Sequence, residues 1–241
     1  MTSVVALGDS FTCGQGVGLR VAPSQTWVAL LTDSLPKGHL ASLATPGARV
    51  RDVLLRQLAE VGEAGLASLL VGLNDVARSG FTPPQVREDL LEAVQALTGS
   101  GAEVLLGRLH DPTEMLSLPA GLFRAVQRRV GVVNAAIDEA SRSPGVHLLD
   151  LADVPVLGTP SGWAVDRVYP SILGHRGIAA AASRLLAAAG WQVASLPDPQ
   201  RSQGPSRTAR SWWTLRYGLP YAAGNLTQIG APGLSGLLRR G

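Results

Sequence analysis

The stretch SVVALGDSFT, residues 3–12, is where the fold can first be read from the chain. Its first six residues are small or apolar, and they end in Gly8, followed by Asp9 and Ser10. A short, nearly continuous apolar run is typical of a strand buried on both faces of a parallel sheet. A glycine followed by polar residues marks the end of such a run. We therefore predict a strand over 3–8, with Ser10 just beyond its carboxyl end.

Further apolar runs of the same character recur along the chain, separated by helix-length segments. They are HLASLA (39–44), ASLLVGL (67–73), AEVLLGRL (102–109) and GVHLLDL (145–151). Helical periodicity is found over 24–35, 48–61, 83–101 and 123–142, and from 173 or 174 to 189. This alternation predicts an α/β fold, a flavodoxin-like three-layer sandwich with a five-stranded parallel sheet.

Three positions with suitable chemistry follow three of the predicted strands, namely Ser10, Gly47 and Asn74. Ligands bind beyond the carboxyl ends of the strands in a sheet of this type. The serine hydroxyl is a candidate nucleophile, and the N–H of Ser10, the N–H of Gly47 and the amide of Asn74 are candidate donors to an oxyanion. Each residue alone is equally suited to a turn or a helix cap. Together they predict a serine hydrolase site.

These segments resemble the conserved blocks of the SGNH (GDSL) hydrolases. GDSFT (8–12), PGARV (46–50) and GLND (72–75) match the first three blocks in order, and DRVYPSILGH (166–175) is similar to the fourth, D-x-x-H-P. The resemblance spans about residues 3–190. It implies the SGNH hydrolase fold, a nucleophile at Ser10, the same three oxyanion donors, an orienting aspartate at Asp166, and hydrolysis of esters without a metal or cofactor.

The fourth block departs from the family pattern at one position, because Tyr169 stands where the family has its catalytic histidine. A phenol has an ordinary pKa of about 10 and is a poor general base at neutral pH. His110, at the carboxyl end of the fourth predicted strand, is a candidate substitute base or substrate contact. His175 matches a second histidine of the block, which we interpret as structural, with catalysis as the alternative.

Composition favours a cytoplasmic protein without a disulfide framework. The chain has one cysteine, Cys13, which excludes an internal disulfide and a multi-cysteine zinc site. We interpret Cys13 as a small buried residue rather than a nucleophile. The N-terminal stretch MTSVVALGDS has neither the basic start nor the apolar length of a signal peptide, and no stretch approaches the roughly 20 apolar residues of a membrane helix.

Positive charge is concentrated in the C-terminal part of the chain. From Pro197 onward there are six arginines and one acidic residue, whereas the remainder has 15 basic and 17 acidic residues. The main body therefore gives no support for nucleic-acid binding, and no nucleic-acid partner is expected. We predict an SGNH hydrolase-like domain over 1–195, a linker over 196–210 and a Trp/Arg-rich extension over 211–241. We expect the extension to pack on the domain or on another subunit; the alternatives are contact with a membrane surface, contact with nucleic acid through stacked aromatic residues, and disorder.

The sequence thus predicts a serine hydrolase that acts on a small acyl ester or thioester, or transfers the acyl group, with a non-standard or weakened general base. The alternative is a catalytically degenerate protein that binds a ligand in the old active-site cleft. An adaptor acting through the extension ranks last.

Overall fold

The computed structural model describes residues 2–16, 19–116 and 120–198, together with the single positions 206, 208, 212 and 216. The predicted linker and Trp/Arg-rich extension therefore lie almost entirely outside the described residues. Their boundaries and their proposed contacts stay predictions.

A five-stranded parallel sheet forms the centre of the molecule. Its strands are β1 (Thr2–Gly8), β2 (Gly38–Ser42), β3 (Leu66–Leu70), β4 (Glu103–Arg108) and β5 (Val146–Asp150). They lie in the order β2-β1-β3-β4-β5, and every neighbouring pair is parallel. This is the flavodoxin-type order, so the predicted fold class is confirmed. A separate two-stranded antiparallel ribbon pairs Gln15–Gly16 with Leu19–Arg20.

Seven α-helices in the described residues connect and cover the strands. They are α1 (Ser10–Cys13), α2 (Trp27–Ser34), α3 (Val50–Asp52), α4 (Leu73–Ala77), α5 (Pro83–Gly99), α6 (Ala120–Ala140) and α7 (Ile172–Ala188). After α3 the chain continues through a π-helical turn, Val53–Gln57, and a 3₁₀ turn, Leu58–Glu60. Two helix pairs make the largest helix–helix contacts, α2 with α7 and α5 with α6.

The burial of the strands shows that both faces of the sheet are covered. Every residue of β3 is buried, and successive side chains of a strand point to opposite faces. The edge strand β2 differs, because four of its five residues are exposed and Leu40 is half-buried. Its apolar run, HLASLA, therefore marks an edge strand rather than a strand buried on both sides. No helix of the described residues is long and apolar enough to cross a membrane.

The register of the sheet brings the ends of the central strands to one edge. Gly8 at the end of β1 pairs with Leu70 at the end of β3, and Leu69 pairs with Leu106 in β4. The segments that follow β1, β3 and β4 therefore emerge side by side. These segments carry Ser10, Asn74 and His110.

Candidate active site

The turn between β1 and α1 is held by a clamp around Gly8. A side-chain Cβ at Gly8, whose φ is +137°, would lie 2.1 Å from the carbonyl oxygen of Leu70, so only glycine fits. The side chain of Gln57 accepts a hydrogen bond from the Gly8 N–H (2.8 Å) and donates one to the Gly8 carbonyl (2.9 Å). The backbone leading to Ser10 is therefore fixed from two sides.

Ser10 is the first residue of α1, and Asp9 is its N-cap. The carboxylate of Asp9 accepts a hydrogen bond from the Phe11 N–H at 2.9 Å. Ser10 is 6% exposed, and its hydroxyl makes no hydrogen bond with any residue in the described part of the chain. The hydroxyl is therefore not committed to a structural contact, as a nucleophile requires.

Asn74, on α4, connects the segments that carry Ser10 and Gly47. Its amide nitrogen donates to Oδ2 of Asp9 at 2.9 Å and to the carbonyl of Ala48 at 3.1 Å. The amide is thus oriented by both neighbouring segments. A substrate oxyanion that used this donor would have to share or replace one of these two acceptors. The oxyanion role of Asn74 stays a prediction.

Gly47 lies in the loop between β2 and α3, with a φ of +78°. A methyl group placed on its α-carbon would lie 3.0 Å from a terminal guanidinium nitrogen of Arg78. The side chain of Arg78 makes neither an ion pair nor a hydrogen bond with the residues that the structure describes. In the described residues Asp75 and Arg78 form no ion pair, and the carboxylate of Asp75 accepts a hydrogen bond from the Val50 N–H at 3.1 Å.

Two buried carboxyl groups lie beneath this edge of the sheet. Burial raises the pKa of Asp9 to about 7, although its hydrogen bonds from Phe11 and Asn74 oppose the shift. Burial also raises the pKa of Asp75 to about 6, against the hydrogen bond from Val50. The negative charge of Asp75 adds to the rise in the pKa of Asp9. Through their hydrogen bonds, Asp9 holds Asn74 and Asp75 holds the loop after β2.

The closing loop before α7 contains Asp166 and Tyr169. Oδ1 of Asp166 accepts hydrogen bonds from the N–H groups of Val168 (3.0 Å) and Tyr169 (3.1 Å), and Arg167 between them adopts a φ of +58°. Oδ2 is buried and has no hydrogen-bond partner among the described residues. Burial raises the pKa of Asp166. This aspartate therefore shapes the loop with one oxygen and leaves the other unused.

His110 follows β4 and lies in an aromatic cluster. Its ring centroid is 4.4 Å from that of Trp163 and 5.8 Å from that of Phe11, the neighbour of Ser10. The ring is 5% exposed, and its Nδ1 has no hydrogen-bond partner in the described residues. Burial lowers the pKa of His110 to about 4, so the imidazole is neutral at pH 7. The beginning of α1 and the end of β4 are thus in contact through this cluster.

The remaining histidines lie elsewhere. Nδ1 of His175 accepts a hydrogen bond from the Trp27 N–H at 3.1 Å, the ring is 1% exposed, and burial lowers its pKa to about 3. His175 therefore joins α7 to the start of α2, which favours the structural interpretation over catalysis. His39 and His147 are the second residues of β2 and β5, at the opposite edge of the sheet from Ser10. Burial raises the pKa of the Cys13 thiol, in keeping with an unreactive cysteine.

Sequence reasoning missed three features of this edge. These are the clamp of Gln57 on Gly8, the hydrogen bond between Asn74 and Asp9, and the tilted ring contact between His110 and Trp163. The role of Asp9 could have been predicted, because this acidic residue directly precedes the predicted nucleophile within GDSFT. Gln57 and Trp163 gave no such signal, because each lies more than 45 residues from its partner and nothing local in the sequence pairs them.

Comparison with known proteins gives one family and a group of similar structures. The profile of the GDSL-like Lipase/Acylhydrolase family matches residues 6–176 of this chain. No curated protein matches its sequence.

Three solved structures illustrate the similarity of fold. The psychrotrophic esterase EstA from Pseudoalteromonas sp. is 18% identical, with a TM-score of 0.61 over 78% of this chain and 98% of that one. A member of the lipolytic protein G-D-S-L family from Veillonella parvula is 18% identical, with a TM-score of 0.60 over 78% and 99%. Axe2, an acetylxylan esterase from Geobacillus stearothermophilus, is 22% identical, with a TM-score of 0.56 over 77% and 94%.

Proposed function

Because this chain belongs to the GDSL-like lipase/acylhydrolase family, we propose that it is a serine hydrolase that cleaves a small acyl ester, with Ser10 as its nucleophile. The observation that carries this proposal is the setting of the Ser10 hydroxyl. It stands at the first residue of α1, uncommitted to any described partner, while Asn74 ties this turn to the loop of Gly47. Acyl transfer to another alcohol is the same chemistry with a different acceptor.

The reaction has two steps. Oγ of Ser10 forms a bond to the ester carbonyl carbon while its proton passes to a base, and the carbonyl oxygen becomes an oxyanion. When this intermediate collapses, the carbon–oxygen bond to the alcohol breaks and the alcohol leaves with that proton. Water then attacks the acyl-serine, releases the carboxylic acid and restores the hydroxyl.

The oxyanion would be held by the N–H groups of Ser10 and Gly47 and by the amide of Asn74. Gly47 suits this role because no side chain obstructs its N–H. Its φ of +78° is a conformation that glycine adopts readily. Hydrogen bonds that are fixed before the reaction stabilise the transition state without a reorganisation cost, and removal of one such donor costs roughly 10²- to 10³-fold in kcat. The bonds of Asn74 to Asp9 and Ala48 hold its amide in place, and the oxyanion would share or replace one of these two acceptors.

The proton acceptor is the unusual part of the proposal. Tyr169 occupies the position at which the family places histidine, and a phenol is a poor base at pH 7. We assign the role to His110, whose neutral ring packs against Phe11, the residue after the nucleophile. The described contacts include no hydrogen bond between His110 and Ser10, so the transfer requires a bridging water or a small side-chain movement. A pKa of about 4 makes this imidazole a weak base and predicts a slow enzyme.

A second function is favoured by a specific observation on the closing loop. Oδ2 of Asp166 is buried without a described partner, and no histidine is present at position 169 to use it. A protein that has lost its base but kept its cleft would bind an ester without turnover. This catalytically degenerate binding protein is the alternative to the hydrolase.

Hydrolysis of p-nitrophenyl acetate separates the two functions. We expect the parent to release p-nitrophenol above the rate in buffer and Ser10→Ala to lose at least 10²-fold of that activity. Ser143→Ala is the matched control, because Ser143 precedes β5 at the other edge of the sheet. A parental rate that survives Ser10→Ala would exclude the serine mechanism, and a parent without activity that still binds the ester would favour the degenerate function.

The role of His110 needs a substitution that keeps the packing of the aromatic cluster. His110→Phe retains a ring against Trp163 and removes both nitrogens, so we expect kcat to fall by about 10²- to 10⁴-fold with a folded protein. His175→Gln is the control, since its amide oxygen can still accept the Trp27 N–H. Equal kcat values for the parent and His110→Phe would remove His110 from the mechanism.

A further inference from the structure

A cavity of about 620 Å³ lies directly beside the candidate oxyanion donor Gly47. Thr45, Gly47 and Ala48 form part of its wall, together with Arg49 and the exposed Arg78. This volume is sufficient for a small organic group. Ser10 is not among the residues that line it. The cavity is therefore a compartment next to the nucleophile rather than the place of bond cleavage.

Hydrogen bonds join the wall of the cavity to Asn74 and to the turn that carries Ser10. The carbonyl of Ala48 accepts the amide of Asn74 at 3.1 Å, and the hydroxyl of Thr45 accepts the amide of Gln57 at 3.2 Å. Gln57 in turn clamps Gly8, two residues before the candidate nucleophile. A group bound in the cavity would therefore lie in a fixed relation to an ester carbonyl held at Gly47.

Among the described residues that line the cavity, Arg78 is the cation that has no ion pair. Asp52 lies 4.0 Å from Nε of Arg49 and 3.9 Å from Nε of Arg56, so these two arginines share one carboxylate. Glu60, also on the wall, is exposed and forms no ion pair in the described part of the chain. Arg78 has no ion pair and no side-chain hydrogen bond with described residues.

Arg78 contacts its surroundings through its backbone carbonyl and lies close to Gly47 through its guanidinium group. Its carbonyl accepts a hydrogen bond from Arg129 at 3.0 Å, which holds the loop after α4. One terminal nitrogen of its guanidinium lies 3.0 Å from where a Cβ of Gly47 would be. Any side chain larger than hydrogen at position 47 would therefore press on this guanidinium. Its unused donors lie at the wall of the cavity, within a few ångströms of the candidate oxyanion donor.

We infer that this cavity binds an anionic substituent of the ester substrate, a carboxylate or a phosphate, through the guanidinium group of Arg78. A guanidinium presents two parallel donors that match the two oxygens of a carboxylate or phosphate, and such charged pairs are stronger than neutral hydrogen bonds. This inference rests on the proposed function, since it names the class of ester that the site at Ser10 accepts. The test esters carry a carboxylate on the acyl group or a phosphate on the alcohol.

Binding of paired esters to a Ser10→Ala protein tests the inference without turnover. Isothermal titration calorimetry on the full chain compares monomethyl succinate with dimethyl succinate, and 1-acetylglycerol 3-phosphate with 1-acetylglycerol. We expect at least one anionic ester to bind about tenfold more tightly than its neutral partner, the amount expected from one charge-assisted hydrogen bond. A preference within the succinate pair would place the bound anion on the acyl group, and a preference within the acetylglycerol pair would place it on the alcohol.

Substitutions in the same background assign the preference to Arg78. Arg78→Gln should abolish it, and Arg78→Lys should retain part of it because lysine keeps the charge but not the paired donors. Arg128→Gln, on the exposed part of α6 and outside the cavity, removes the same charge and should leave the preference unchanged. Equal affinities within both pairs, no measurable binding of any of the four esters, or a preference that survives Arg78→Gln would overturn the inference.

The outcome is separable from that of the proposed function. Hydrolysis of p-nitrophenyl acetate by the parent requires Ser10 but involves no anionic group of the substrate. Absence of this hydrolysis with an intact preference for the anionic ester would overturn the hydrolase and leave the anion site. Hydrolysis that depends on Ser10, combined with equal affinities, would overturn the anion site and leave the hydrolase.

Discussion

Gly8 illustrates how the end of β1 imposes a single residue type. A Cβ at this position would lie 2.1 Å from the carbonyl oxygen of Leu70, in the neighbouring strand, and φ is +137°. Neither the strand nor its carbonyl can move without breaking the sheet register. The block GDSFT (8–12) therefore begins with glycine for a steric reason that is independent of catalysis.

The steric argument predicts that Gly8→Ala destabilises the protein by more than about 3 kcal/mol, because strain at such a backbone position adds to a clash. Urea unfolding followed by circular dichroism measures the change. Gly131→Ala is the control, since Gly131 lies in α6 with nothing within 4 Å of its added Cβ, and it should stabilise the helix by roughly 0.5–1 kcal/mol. Similar effects for the two substitutions would refute the steric account of Gly8.

In our proposal, Tyr169 stands at the position where the family places its catalytic histidine. The free Oδ2 of Asp166 could accept the N–H of an imidazole at position 169, so Tyr169→His should complete an aspartate–histidine pair. We expect kcat for p-nitrophenyl acetate to rise by roughly 10²- to 10⁴-fold. Tyr169→Phe removes the phenol without adding a base and should show no gain. A Tyr169→His enzyme no faster than Tyr169→Phe would mean that the loop cannot present a base to Ser10.

Among the elements, α2 and α7 are joined by His175, and this contact should respond to pH. The pKa of His175 in the folded protein is about 3, well below its ordinary value of 6.5. As the pH falls below 6.5, the unfolded chain takes up a proton that the folded chain does not. Unfolding is therefore favoured increasingly as the pH falls from about 6 toward 3.

His175→Gln removes this titration and keeps an acceptor for the Trp27 N–H. The free energy of unfolding of the parent, relative to that of the variant, should decrease by up to about 1.4 kcal/mol for each pH unit between pH 6 and pH 4. Other titrating groups, His110 included, are common to both proteins and cancel in the comparison. Parallel stability curves for the two proteins over this range would show that His175 does not remain neutral.

The elements themselves were largely predictable from local patterns. The observed bounds of the five strands and of α2, α5, α6 and α7 differ from the predicted bounds by three residues or fewer. The segment predicted as one helix over 48–61 is instead α3 followed by a π turn and a 3₁₀ turn. Gln57 lies in that π turn, where its side chain reaches Gly8. Periodicity of apolar residues predicts the presence of a helix, but this interruption depends on a partner 49 residues away.

At the scale of the whole molecule, residues after α7 return to the sheet and to α2. The indole N–H of Trp191 donates to Glu103 at 2.7 Å, and the Ala194 N–H donates to the carbonyl of Ser34 at 2.8 Å. The buried core extends from Val4 to Leu186. These contacts close the domain within the residues that precede the predicted linker.

A protein truncated after residue 199 should therefore fold and keep its activity. We expect its Tm to lie within about 2 °C of the parent's, which for a domain of this size corresponds to less than roughly 1 kcal/mol. The kcat/KM for p-nitrophenyl acetate should be unchanged. A fall of more than several degrees, or loss of activity, would show that the Trp/Arg-rich extension completes the domain.

The order of the strands and the edge that carries the site follow from general rules for parallel sheets, so Ser10 and Asn74 could be placed from the sequence. The hydrogen bonds and contacts of the side chains in the site could not be predicted from the sequence. That Asn74 donates to Asp9, that Asp166 has an unused oxygen, and that Arg78 lies against Gly47 all depend on contacts between segments distant in the chain. The proposed base and the proposed class of substrate rest on these contacts.

The most direct test of the central claim is covalent labelling of the full chain with diethyl p-nitrophenyl phosphate, followed by intact mass measurement and peptide mapping. A serine nucleophile with an oxyanion site reacts once, so we predict one diethylphosphoryl group per chain, located on Ser10 and absent from Ser10→Ala. Labelling of another residue, or an unlabelled parent under conditions that fully label a serine esterase, would contradict the assignment of Ser10 as the nucleophile.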